Sequence, residues 1–143
     1  MRLRSNEPPS WIVHDLNQPN SLGAGSVRAL YLDESDRLWV GTDSGGVTML
    51  DQNGLVKKRF VHNPIDPNSL SENGVRAIHS DSLGRIWFGT YREGISVYDE
   101  RDDRWYRFKH DAKDPDSLTG NRVRSLLRDA AGDLWIGTDG GHL

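Results

Sequence analysis

Short apolar runs alternate along the whole chain with clusters of Gly, Asp, Asn, Ser and Thr, and three of the runs are near copies of one another. They are Asp33-Glu34-Ser35-Asp36-Arg37-Leu38-Trp39-Val40-Gly41-Thr42, Asp81-Ser82-Leu83-Gly84-Arg85-Ile86-Trp87-Phe88-Gly89-Thr90 and Asp129-Ala130-Ala131-Gly132-Asp133-Leu134-Trp135-Ile136-Gly137-Thr138. In each, an aspartate that can cap its own turn is followed by Gly or Asp, residues that tolerate positive φ. An apolar run then follows, too short for a helix, rich in Trp and β-branched residues and closed by Gly-Thr; this reads as the buried second strand of a hairpin. The tryptophans stand 48 residues apart with no insertion or deletion, which marks a repeat architecture. Within one period the pattern predicts four short strands, in the second copy at about 75–80, 85–90, 94–98 and 105–110. Turns are expected at Asp81–Gly84, around Arg92–Gly94 and at Asp99–Asp103. The last strand, Trp105-Tyr106-Arg107-Phe108-Lys109-His110, carries more charge, as an outer edge strand should.

The frame extends beyond the hairpin. Val27-Arg28-Ala29, Val75-Arg76-Ala77 and Val123-Arg124-Ser125 are in register, as are Ser21-Leu22, Ser69-Leu70 and Ser117-Leu118, and the histidines 14, 62 and 110. A polar connection, Asp111 to Asn121 in the second copy, returns the chain from outer edge to inner strand, with Leu118 its expected anchor. Four antiparallel strands per unit, repeated with such a return, describe an all-β fold of β-propeller blades. The expected units are a tail and the outer strand of a preceding blade (1–22, the strand at 11–14), blades at 23–70 and 71–118, and a partial blade at 119–143 that stops within a motif at Gly141-His142-Leu143. Ring closure takes at least about four blades, and about three blades' worth is encoded, an incomplete ring. The chain is therefore expected to be a piece of a longer propeller; the alternative is homo-oligomeric association through the open edges.

Composition narrows the functional classes. The 143 residues carry a formal net charge of −3, which offers no basic face for nucleic acid. Without cysteine there is neither a disulfide framework nor a thiolate metal site. The first ten residues have two arginines but no apolar core after them, so no signal peptide is expected in this sequence, and no run is long enough to cross a membrane.

The Asp-x-x-Gly-x-Leu-Trp-Ile-Gly-Thr motif, the Asp-Pro-(Asn/Asp)-Ser-Leu-(Ser/Thr)-x-Asn connection and the Val-Arg-(Ala/Ser) strand together resemble the two-component regulator propeller repeat, over nearly the whole chain from about residue 11. The resemblance implies the extracytoplasmic, periplasmic sensor of a membrane-bound hybrid histidine kinase. Many sensors of that family detect oligosaccharides; others precede diguanylate cyclase modules. It implies a sensing segment and not a signalling enzyme, since no kinase or receiver sequence is present and any such activity would reside in other parts of a parent protein.

Candidate chemistry is sparse, with no catalytic constellation and no cofactor expected. The tryptophans can stack on sugars, but their place within apolar strands favours packing between blades. Arg28, Arg76 and Arg124, on the innermost strands, can bind a carboxylate or sulfate; repeated salt bridges to turn aspartates are the favoured alternative. His14, His62 and His110 fall one per blade, too far apart to share a tetrahedral ion, and are expected to terminate outer strands. Repeat-breaking residues are better candidates, because ligands are asymmetric and blades are not. Tyr91-Arg92-Glu93 replaces Asp43-Ser44-Gly45 and Asp139-Gly140-Gly141, putting an aromatic ring, a cation and a carboxylate on one loop, where an unliganded solvated loop is the bland alternative. His79, in place of Tyr31 and Leu127, also breaks the repeat. The expected function is non-catalytic sensing of a small, carbohydrate-like ligand. The alternatives are a stand-alone oligomeric lectin and a propeller lyase resembling the streptogramin lyases.

Overall fold

The computed structural model describes residues 1–4 and 6–140. A short hairpin, β1 (Arg2–Arg4) with β2 (Glu7–Ser10), precedes two four-stranded antiparallel sheets and a two-stranded one. The first sheet runs β3 (Val27–Leu32), β4 (Leu38–Thr42), β5 (Val47–Leu50) and β6 (Val56–Phe60), each strand beside the next. The second repeats it with β7 (Val75–Ser80), β8 (Ile86–Thr90), β9 (Ile95–Asp99) and β10 (Arg104–Phe108). The third consists of β11 (Val123–Arg128) and β12 (Leu134–Thr138). These are propeller blades, two complete and one begun. The inner strands β3, β7 and β11 lie side by side, and the expected strand boundaries hold to within about two residues. The break expected at Gly141-His142-Leu143 lies outside the described residues.

The aspartate at the head of each repeat builds the hairpin and pins the tryptophan. Asp33 Oδ1 accepts the N–H groups of Ser35 (2.9 Å) and Arg37 (3.0 Å), and Oδ2 accepts Trp39 Nε1 (2.8 Å). Asp81 does the same with Leu83, Arg85 and Trp87, and Asp129 with Ala131, Asp133 and Trp135. Burial opposes ionisation of Asp33 and Asp81, but the donated hydrogen bonds outweigh it and hold both carboxyls below the usual carboxylate range. Asp36 fills the left-handed turn position with φ 57°, where the next repeat has Gly84 at 78°.

The Gly-Thr that ends each β4-type strand serves two neighbours. Thr42 Oγ1 accepts the N–H of Gly45 (2.8 Å) and Thr90 Oγ1 that of Glu93 (3.0 Å), closing the turn into the third strand. The glycine admits the next blade: a Cβ on Gly41 would lie 2.9 Å from Val75 Cγ1, and one on Gly89 2.5 Å from Val123 Cγ1. Val75 and Val123 are fully buried there, while Val27, which has no blade before it in the structure, is 48% exposed.

Blade-to-blade burial therefore decides the fate of identical motifs. Trp39 is wholly buried, stacked on Phe60 at 5.6 Å and tilted against Phe88 of the next blade at 5.9 Å. Trp87 repeats the stack on Phe108 at 5.5 Å but is only partly buried, and Trp135 is 50% exposed. The core position expected for all three tryptophans is thus met at Trp39, partly at Trp87, and not at Trp135, because an inter-blade residue needs a blade on its far side. The outer strand expected at 11–14 is likewise not formed; the paired N-terminal segments are β1 and β2, since a strand needs a ladder of backbone bonds and this segment has a single one among the described residues, from the Leu22 N–H to Val13 O at 3.3 Å. Its side-chain bonding nonetheless follows the repeat. Nδ1 of His14, His62 and His110 donates to the carbonyl of Leu22, Leu70 and Leu118 at 2.7, 2.8 and 2.6 Å. Those leucines anchor the connections, Leu70 completely buried.

Candidate functional site

Each inner strand slips register by one residue at the same place: between Val27 and Ala29, Val75 and Ala77, and Val123 and Ser125. The extra residue is Arg28, Arg76 or Arg124. A bulge re-aims a side chain, and here it sits opposite the residue that follows Gly-Thr. That residue is held alike in all three blades by its own N–H: Asp43 to Ser26 O (3.0 Å), Tyr91 to Gly74 O (3.0 Å), and Asp139 to Arg122 O (2.9 Å).

In the first and third blades the arginine meets a carboxylate. Arg28 Nη2 lies 3.2 Å from Asp43 Oδ2, and Asp43 also accepts the Ser26 N–H at 2.9 Å. Arg124 donates to both oxygens of Asp139, through Nε and through Nη2 at 3.0 Å, while Arg122 Nη1 is 3.7 Å from the same group. The Ser26 N–H, and then Arg28, keep Asp43 below its ordinary pKa; Arg124 does so for Asp139 and is itself raised in return.

The middle blade has no such carboxylate. Tyr91 stands in its place, and the Arg76 guanidinium lies over the ring at 4.0 Å from the centroid, with Arg92 at 5.0 Å and Arg122 of the next blade at 5.3 Å. Glu72 positions the loop by accepting the Arg92 N–H at 2.7 Å, and the Glu93 carboxylate is engaged by Lys109, just beyond β10. Of the six residues singled out from sequence, Arg76, Tyr91 and Arg92 converge; Arg28 and Arg124 are neutralised within their own blades, and Glu93 is turned to the outer strand. Arg122 joins the cluster unforeseen. It also breaks the repeat, standing where the earlier blades have Ser26 and Gly74, so the criterion that picked out Tyr91 applied to it equally.

Two grooves have the geometry of blade seams, the first mainly apolar and the second of mixed lining. One, of ≈ 380 Å³, is lined by Ile12, Leu22, Val27, Leu30, Leu38 and Leu50. One repeat on, Leu70, Val75, Ile78, Ile86 and Tyr98 are buried in the core between the first and second blades. The other, of ≈ 530 Å³, surrounds Trp87 and Phe108. Its counterpart, Trp39 on Phe60, is covered by Phe88 and Trp105 of the following blade. His79 lies between the first and second blades, its ring 4.8 Å from that of Tyr31 and its Nδ1 donating to its own neighbour Ser80 O at 3.0 Å.

Solved structures share this fold. The extracellular domain of the putative hybrid two component system BT4673 from B. thetaiotaomicron superposes with a TM-score of 0.68 over 90% of the chain at 23% identity, and that of BT3049 from the same organism with 0.67 over 80% at 21%. PorZ, an essential surface component of the type-IX secretion system of Porphyromonas gingivalis, superposes with 0.62 over 81% at 21%. The chain spans only 16%, 16% and 17% of their lengths, and at such identities the likeness is one of fold. No curated protein matches the sequence. The profile of the two component regulator propeller matches three times, at residues 21–44, 69–92 and 117–140. Each match runs from the Ser-Leu anchor through the bulged arginine strand and the aspartate–tryptophan hairpin to the loop beyond Gly-Thr, and on these three repeats the chain belongs to the two component regulator propeller family.

Proposed function

We propose that this chain is a non-catalytic, ligand-sensing segment of a propeller in a bacterial two-component-type signalling protein. It works on the periplasmic side and binds a small carbohydrate-like ligand at the face formed by the loops that follow Gly-Thr. Family membership and the extracellular domains among its structural relatives support the sensing role and the location. The observation that carries the ligand site is the break in repeat symmetry on that face: Tyr91 and Arg92 converge with Arg76 and Arg122 where the flanking blades have closed Arg–Asp pairs. An aromatic ring with planar donors around it suits a sugar, which offers an apolar face and a rim of hydroxyls. The non-catalytic part of the reading is supported by membership of a regulator propeller family.

Titration of a panel of neutral and acidic oligosaccharides into the ¹⁵N-labelled chain tests this reading. Shifts confined to the amides of residues 74–76, 91–93 and 122–124 are expected. A panel that moves no amide there would count against carbohydrate as the ligand.

A further inference from the structure

We propose that the seam between the second and third blades binds one oxyanion group of a small ligand, a carboxylate or a sulfate. Arg76, Arg92 and Arg122 would cradle it beside Tyr91, in the place that an aspartate of the chain itself fills in the flanking blades. The proposal rests on the reading above only in taking this loop face as the one that meets ligand; it adds the charge and chemical class of what is bound.

The repeat supplies its own control. Positions 43, 91 and 139 are fixed by the same backbone hydrogen bond, and the arginine opposite each stands at the same bulge. What differs is the side chain. Asp43 offers its carboxylate to Arg28 and to the Ser26 N–H, and Asp139 offers both oxygens to Arg124. The middle blade keeps the arginine and loses the aspartate. Two further guanidiniums stand around the same position: Arg92 replaces Ser44, and Arg122 replaces Ser26 and Gly74. Three like charges gather around one aromatic ring, at 4.0, 5.0 and 5.3 Å from its centroid.

The neighbouring carboxylates do not discharge the cluster. Glu72 keeps its charge but spends it on the Arg92 backbone N–H and pairs with no guanidinium among the described residues, Glu93 pairs with Lys109, and Asp139 chiefly with Arg124, with Arg122 at 3.7 Å. Among the described residues neither Arg76 nor Arg92 has a side-chain ion pair. Ring faces hold guanidiniums flat but cannot neutralise them, so their N–H edges remain as donors for a planar or tetrahedral oxyanion.

The test is NMR titration of the full 143-residue chain with sodium sulfate, D-glucuronate and glucose at constant ionic strength, with chloride as the balancing salt. Saturable shifts of the residue 74–76, 91–92 and 122–124 amides are expected with sulfate and with glucuronate, and none with glucose. Tyr91→Asp restores the residue of the flanking blades. It should lower anion affinity by about tenfold or more while leaving the amide spectrum elsewhere and the urea midpoint unimpaired. Arg122→Ser, the residue of the first blade, should weaken binding several-fold. Equal response to sulfate and glucuronate supports an oxyanion site without sugar recognition; stronger response to glucuronate supports both readings. Glucose shifting the same amides as strongly as glucuronate would overturn the oxyanion proposal and leave the carbohydrate reading standing. Absence of saturable shifts with both anions, or undiminished binding by Tyr91→Asp, would overturn it outright.

Discussion

Replacing Gly89 by alanine is expected to open the seam between the second and third blades. The added Cβ would stand 2.5 Å from Val123 Cγ1, 3.0 Å from Val123 Cβ and 3.2 Å from Ala77 Cβ. Carbon atoms in contact settle at about 3.5–4.0 Å, so the seam has to part by roughly 1 Å or Val123 has to leave its rotamer. Val123 is fully buried and lies in the cluster with Ile95 and Val97, leaving it little room. Overpacking of this kind costs about 1–3 kcal/mol. Alanine regains up to about 1 kcal/mol by restricting the unfolded chain, since the Gly89 backbone does not require glycine. The net expectation is a loss of about 1–2 kcal/mol, with Gly41→Ala milder because its nearest contact is 2.9 Å. Urea unfolding followed by tryptophan fluorescence measures it, and Val123→Ala completes a double-mutant cycle. Truncating Val123 alone removes two buried carbons, about 1.6 kcal/mol before any cavity cost. Combined with Gly89→Ala it also removes the shortest contact, leaving Cβ of residue 123 at 3.0 Å, so the pair should be less damaging than the sum by about 1 kcal/mol. A neutral Gly89→Ala, or additivity within about 0.5 kcal/mol, would refute the close-approach role of this glycine.

Other outcomes follow from the same geometry. Because the folded-state pKa values of Asp33 and Asp81 are depressed, their contribution is complete above the unfolded carboxyl value of about 3.9 and is lost as pH falls through the folded values; the urea midpoint should drop below about pH 4, and Asp33→Asn with Asp81→Asn should flatten that dependence. Trp39→Ala should cost about 3–5 kcal/mol in the same urea titration. Trp135→Ala, at a half-exposed position, should cost much less, and Trp135 emission should be the more readily quenched by iodide. At Gly84, with φ 78° and open space within 4 Å of where a Cβ would stand, alanine should cost about 1 kcal/mol through backbone strain alone. Gly84→Asp should cost less in thermal unfolding, since Asp36 already holds that conformation in the first blade.

Much of the site was legible in its parts and not in its connections. The repeat frame marked Arg28, Arg76 and Arg124 as equivalent and Tyr91-Arg92-Glu93 as a departure. The salt bridges to turn aspartates favoured from sequence are met at Arg28 and Arg124 and not at Arg76; which aspartate each takes, 43 or 139, depended on a register slip that no residue type announces. Only the contact between two blades brings Arg122 onto Tyr91, 31 positions away in the sequence. Glu93, grouped with its neighbours by adjacency, is drawn off by Lys109 across a strand pair.

The sequence by itself determined the period, the strands, the aspartate turns and the blade class, because each arises from interactions within a few residues: alternation on a pleat, an Asx turn, a glycine or aspartate at positive φ. Tertiary structure decided what identical motifs became. Trp39, Trp87 and Trp135 share one local pattern and range from fully buried to half exposed, since burial between blades is conferred by the neighbour and not by the strand. The glycine before each threonine reads locally as a strand end, and its role appears only when the next blade's valine is set against it. The arginine cluster is of the same kind. Its chemistry is written in four residues from two blades, and only packing brings their charges together.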